Sequence, residues 1–244
     1  SSFEPGDWFG GAVAQYGNYI LVGEPNDYDH FGDAHLYQWT AGDGFAQVWS
    51  ADVGDHYSFG HSVAMSGDFM VIGAPTRLNG GGSAGRLYIY TLDTGLPEFA
   101  YSIDGGYAWS DFGATLELHD NVLFVGSPGE GDFTGKVDVH MLGPTQASLW
   151  TTLVPGDGTE ASLNFGRSIA MNVMSNGNDQ EVLLAIGAPG WSFPEWPTDG
   201  GRVHLYRLDT GQWTEVQVIH PSVPIVDSSE FGFAVEFGGG RLAI

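Results

Sequence analysis

Apolar residues in this chain alternate with polar or small ones in short runs, and Gly, Asn and Asp break those runs at regular intervals. Val63 and Met65 alternate with smaller or polar neighbours, Gly67-Asp68 reverses the chain, and Phe69 to Ile72 form an apolar run stopping at Gly73-Ala74-Pro75. A period of two closed by turn residues predicts a pair of antiparallel strands. The same pattern recurs along the chain. Phe-Gly stands at Phe9-Gly10, Phe59-Gly60, Phe112-Gly113, Phe165-Gly166 and Phe231-Gly232, with steps of 50, 53, 53 and 66 residues. A Gly-x-Pro follows at Gly23-Glu24-Pro25, Gly73-Ala74-Pro75, Gly126-Ser127-Pro128 and Gly187-Ala188-Pro189. The two glycines are 13 residues apart in the first three copies and 21 apart in the fourth, which places an insert of 8 between Ala170 and Leu183. An internal repeat of this kind governs the reading of everything else.

Each copy predicts four strands, A to D. In the first copy they are Ala12 to Gln15, Tyr19 to Val22, His35 to Trp39 and Phe45 to Trp49. Strand C recurs at Arg86 to Tyr90, Lys136 to Met141 and Arg202 to Leu208; strand D recurs at Pro97 to Ile103, Ser148 to Leu153 and Trp213 to Ile219. The copies occupy approximately residues 7–54, 55–108, 109–161 and 162–227, with a partial copy at 228–244 that supplies strands A and B. Four antiparallel strands in a tandem unit of about 50 residues predict an all-β fold, a β-propeller or propeller fragment spanning residues 1–244. The Gly, Pro and β-branched content predicts no helix. The Phe of Phe-Gly is expected to fill the apolar seam between blades, and the Pro of Gly-x-Pro to end strand B because it has no N–H to donate.

Charge narrows the choice of partners. Thirty acidic residues stand against seven basic ones among 244, a formal net charge of -23, with Lys136 the single lysine. Such a surface repels nucleic acid and anionic lipid and favours cations or basic partners. The absence of cysteine excludes disulfides, thiolate catalysis and thiolate zinc sites. No apolar run reaches the roughly 20 residues of a membrane-spanning helix.

The string Phe-Gly-x-Ser-Val-Ala at 59–64, then Gly67-Asp68, then Val-Ile-Gly-Ala-Pro at 71–75, then Gly-Arg-Leu-Tyr-Ile-Tyr at 85–90 resembles the FG-GAP repeat family, which also builds the propeller of integrin α subunits. The resemblance covers nearly the whole chain. It implies a propeller, usually extracellular, that binds partners or glycans, and it implies no particular activity. One departure is informative. Integrin-like blades often carry a calcium loop between strands A and B, whereas here the connections are Gly17-Asn18, Gly67-Asp68, Asp120-Asn121 and Gly238-Gly239-Gly240. So short a turn cannot present the six to eight oxygens calcium takes. The chain resembles the short-turn subtype.

Candidate chemistry is sparse. Asp27, Asp29 and Asp33 share a B–C loop with His30, and Asn176, Asn178 and Asp179 lie in the insert of the fourth copy. Both are candidate calcium sites, each set against a plainer reading as a solvated acidic loop or a long hairpin; no cofactor is required. Glu130 and Asp132 occupy the matching loop of the third copy, but the second has Thr76-Arg77-Leu78-Asn79, so no metal site repeats. No nucleophile elbow, zinc-helix or phosphate-loop motif is present. Trp191, Phe193 and Trp196 with two prolines exceed what a B–C turn needs, and the rings serve either as a contact surface or as cover for their own blade.

These features point to an extracellular or cell-surface, non-enzymatic propeller acting in protein interaction, adhesion or structural assembly. The partner is a protein or a neighbouring subunit. The alternatives are a lectin-like propeller using Trp191, Phe193 and Trp196, and a glycan-active enzyme using carboxylates of one face. The last copy stops after strand B at Ile244. Either a longer protein or a neighbouring subunit is expected to complete that blade.

Overall fold

A computed structural model describes residues 8–25, 32–54, 58–75, 84–92, 95–156, 163–176, 179–190, 192–193, 196–222 and 230–244. The fold is all-β, built of four-stranded β-propeller blades. The first is the antiparallel meander β1 (Ala12–Tyr16), β2 (Tyr19–Glu24), β3 (Asp33–Thr40) and β4 (Gly44–Asp52). The second comprises β5 (Ser62–Met65), β6 (Phe69–Ala74), β7 (Arg86–Thr91) and β8 (Glu98–Asp104). The third holds β9 (Thr115–His119), β10 (Val122–Ser127), β11 (Lys136–Leu142) and β12 (Ala147–Leu153). The fourth uses β13 (Ser168–Asn176), β14 (Asp179–Ala188), β17 (Arg202–Asp209) and β18 (Gln212–Ile219). A hairpin of β15 (Ser192–Phe193) and β16 (Trp196–Asp199) interrupts that blade, and β19 (Glu236–Gly238) pairs with β20 (Arg241–Ala243) in the partial copy. One helical turn, α1 (Glu130–Phe133), occupies the third B–C connection, where no helix is expected from the sequence.

The chain divides into two compact units, Ser1–Val125 with Val139–Trp150, and Gly126–Asp138 with Thr151–Ile244; the division runs through the third sheet. In the first unit strand A is an edge strand of each sheet, and β1 packs beside β5 and β5 beside β9. In the second, β13 packs beside β19 in the same way. The Phe-Gly strand is thus the strand that meets the next blade, the position expected of a propeller's inner strand.

The repeat motifs explain themselves as contacts. The Gly10 N–H donates to the Gly23 carbonyl at 3.0 Å, Gly60 to Gly73 at 3.1 Å and Gly166 to Gly187 at 3.0 Å, so Phe-Gly is tied to Gly-x-Pro of its own blade. That bond accounts for the fixed spacing. The 8-residue insert of the fourth copy leaves it intact because β13 and β14 simply lengthen, pairing from Ser168 with Gly187 out to Asn176 with Asp179. Gly60 sits at φ 87, and a Cβ there would stand 2.3 Å from the Asp33 carbonyl of the preceding blade. A side chain has neither the backbone freedom nor the room. The Ser62 hydroxyl donates to the Gly113 carbonyl at 2.5 Å and Ser168 to Gly232 at 2.8 Å, hooking each strand A to the next Phe-Gly.

The core lies between blades rather than within them. One cluster joins Leu21, Ala34 and Leu36 of the first blade to Phe59, Val63, Met70, Ile72, Tyr88 and Tyr90 of the second. Another joins Val71, Leu87 and Ile89 to Phe112, Leu116, Leu123 and Val125. In the second unit Ala185 and Val203 meet Val235 of the partial copy. The second blade therefore buries two apolar faces, which is why its strands read as near-continuous hydrophobic runs.

Candidate functional site

In each blade the Phe of Phe-Gly lies on aromatic side chains of its own strand C. Phe59 stands edge-on to Tyr88 at 5.1 Å, Phe112 to His140 at 6.4 Å, and Phe165 to His204 at 5.1 Å and Tyr206 at 6.3 Å. Phe9 repeats this, 5.6 Å from His35 and 6.4 Å from Tyr37. The surroundings differ. Phe59 and Phe165 are fully buried, whereas Phe9 is 42% exposed. Val63 is 8% exposed and its counterpart Val13 60%. The cross-strand register puts Val13, Val22 and His35 in one row and Gln15, Ile20 and Tyr37 in the next. Beyond them Trp39 pairs with Phe45 across β3 and β4, and the two exposed rings meet edge-on at 5.1 Å. The first blade thus presents, uncovered, the apolar face that the second buries against its predecessor. Four exposed apolar or aromatic side chains, Phe9, Val13, Trp39 and Phe45, form a surface of the kind that marks a protein contact.

At one end of this face the polar groups change character. Glu24 ends β2 and Asp33 begins β3 as its cross-strand partner, with His35 two residues on. Nε2 of His35 and Oε2 of Glu24 are 2.7 Å apart, and both residues are buried. Ligand atoms of Glu24, Asp33 and His35 all lie within 4.8 Å of one another. Nδ1 of His35 is buried with no hydrogen-bond partner.

The same positions hold other chemistry in the remaining blades. Strand C opens with Arg86, Lys136 and Arg202 there, and strand B ends with Ala74, Ser127 and Ala188. Arg86 Nε donates to Asp104 Oδ1 at 2.5 Å, and burial and this bond act on it in opposite senses, the bond prevailing to raise its pKa. Lys136 Nζ lies 3.2 Å from Asp138 Oδ2 and 3.8 Å from Glu130 Oε1. His204, at the position of His35, meets Glu215 of strand D at 2.6 Å, and the Gly156 N–H donates to the other oxygen of Glu215 at 3.1 Å. An open cleft of about 400 Å³ lined by Tyr101, Asp104, His140, Gln146 and Leu149 gathers no cluster of catalytic type.

Of the residues singled out in the sequence, Asp33 is brought to Glu24 and His35, two partners that the acidic loop pattern did not reveal. Asp27, Asp29, Asn178 and Trp191 lie outside the described residues. Asn176 and Asp179 are cross-strand partners at the end of the β13–β14 hairpin, and Phe193 and Trp196 are partners in β15–β16; their side chains also lie outside what is described. Glu130 belongs to Lys136. Glu24 escaped notice because it is the variable residue of Gly-x-Pro, where it reads as a turn position.

Comparison with known proteins agrees with the repeat. Residues 42–90 match the sequence profile of the FG-GAP repeat. No curated protein matches the chain. Among solved structures it is similar to Sqt1 from Chaetomium thermophilum, at 17% identity and a TM-score of 0.49, over 82% of this chain and 43% of that one. The chain thus spans less than half the length of that relative.

Proposed function

We propose that this chain, which carries an FG-GAP repeat at 42–90, is a non-enzymatic protein-interaction module whose contact surface is the open face of its first blade. The observation that carries the reading is the contrast between Val13, at 60% exposure, and Val63, at 8%, on equivalent strands. The second blade shows what fits such a face: the Leu21, Ala34 and Leu36 side of another blade. The partner we assign is a second copy of the chain, met through the same open face of its own first blade, since its Leu21, Ala34 and Leu36 side is already buried. The extracellular setting and an adhesive or assembly role rest on the resemblance to integrin-type repeats. No helix among the described residues is long and apolar enough to cross a membrane.

Oxidative footprinting tests the assignment. Trp39, Tyr37 and Phe9 should be modified in dilute protein and protected as concentration rises, while Trp150 on β12 stays constant. Equal modification of Trp39 at all concentrations would overturn it. The carbohydrate reading depends on Trp191, Phe193 and Trp196, and nothing described in the structure favours it.

A further inference from the structure

We propose that the cleft between the second and third blades binds a tyrosine side chain presented by a partner peptide. The repeat shows where this cleft comes from. The fifth residue of strand C is Tyr37, Tyr90 and Tyr206 in the first, second and fourth blades, and His140 in the third. Two of these tyrosines reach the outer strand of the preceding blade. Tyr90 is 5% exposed and stands edge-on to Trp49 of β4 at 5.1 Å. Tyr206 is 4% exposed, and its hydroxyl donates to the Val154 carbonyl, just past β12, at 2.8 Å. His140 is shorter and carries no phenol. The cleft of about 400 Å³ opens beside it, with Tyr101, Ile103 and Asp104 of β8, the preceding outer strand, as the opposite wall. This seam lacks the ring that the chain itself supplies at two others, and a partner's ring supplies it here.

The walls suit that occupant. Ile103 and the exposed Leu149 offer apolar surface to a ring, and Tyr101 adds an aromatic one. The buried His140, edge-on to Phe112 at 6.4 Å, and Gln146 bring groups able to bond a phenol hydroxyl. The cleft is also preformed. The Tyr101 hydroxyl donates across the seam to the Gly143 carbonyl at 3.0 Å, and the Gly143 N–H donates to the Gln146 carbonyl at 2.9 Å, closing the turn between β11 and β12. Its volume falls within the about 300–1,000 Å³ of ligand sites and exceeds that of one phenol ring, so flanking peptide backbone enters with the side chain. Charge selects the flanks. The Asp104 side chain, bonded to Arg86, is still 53% exposed, and the chain's net charge of -23 favours basic residues on either side of the tyrosine.

Titration of the 244-residue chain with the acetylated, amidated peptide Lys-Tyr-Lys, followed through the imidazole resonances, tests the proposal. The His140 resonances should shift and saturate. The peptide Lys-Phe-Lys should bind about tenfold more weakly for want of the hydroxyl, and Lys-Ala-Lys should leave His140 unmoved. His140→Tyr places the repeat's own ring in the cleft, and it should abolish binding of Lys-Tyr-Lys while the unfolding midpoint holds or rises. Leu149→Ser, at an exposed position, should weaken binding at least about threefold, which keeps the test decisive if His140→Tyr fails to fold. No saturable shift at His140, equal affinity for the tyrosine peptide and either control, binding retained by a folded His140→Tyr, or affinity unchanged in Leu149→Ser would each overturn the site.

Discussion

At the scale of the residue, the repeat motifs act by volume and backbone conformation. Phe112 is 4% exposed and packs with Leu116, Leu123 and Val125, so Phe112→Ala should cost about 3–5 kcal/mol in denaturant unfolding. Phe9→Ala, on the uncovered face, should cost well under half of that. Equal losses would show that the two rings share one environment. Gly60→Ala adds a Cβ at a left-handed φ and 2.3 Å from a carbonyl oxygen, and should cost at least about 1–3 kcal/mol. Gly106→Ala, whose Cβ would meet nothing within 4 Å, should stay within about 0.5 kcal/mol of the parent. Burial pushes the Tyr90 phenol up to about 12, since the buried phenolate is disfavoured. The stabilisation that this represents is complete below the ordinary phenol range near about 10 and is lost as pH rises through the folded value. Stability should therefore fall between those two pH values, and Tyr90→Phe should lessen the fall. An identical alkaline limb in parent and variant would remove Tyr90 from this role.

At the scale of the element, nearly every strand was legible, and the reasons are physical. The alternation of Val63 and Met65, the turn at Gly67-Asp68 and the stop at Pro75 are local signals, and β5 and β6 follow them. What sequence could not show is which residue of one strand faces which of another. Asp33 was visible as an acidic residue, but its meeting with Glu24 and His35 depends on the β2–β3 register. The role of Ser62 was hidden for the same reason, since its partner Gly113 is fifty-one residues away. Ser62→Ala should cost about 1–3 kcal/mol by leaving that carbonyl unpaired; a neutral result would mean water replaces the hydroxyl. The A–B turns bear on calcium. Two residues join β1 to β2 and β9 to β10, and three join β5 to β6. Melts with calcium and with a calcium-selective chelator should coincide. A midpoint lowered by many degrees in chelator would point to a calcium site elsewhere in the chain.

At the scale of the molecule, the repeat makes each blade a partner for the next, and function enters where that pairing is left open. The face bearing Phe9, Val13, Trp39 and Phe45, with Tyr37 half-buried among them, has the sequence of an inter-blade seam and the exposure of a surface. It also lies in the one blade without Lys or Arg. The most direct measurement is sedimentation equilibrium of the chain beside the double variant Val13→Asp with Trp39→Asp. The parent should associate with rising concentration, and the variant should remain monomeric with an unchanged unfolding midpoint. A parent that stays monomeric throughout, or a variant that associates equally, would contradict the assignment of this face.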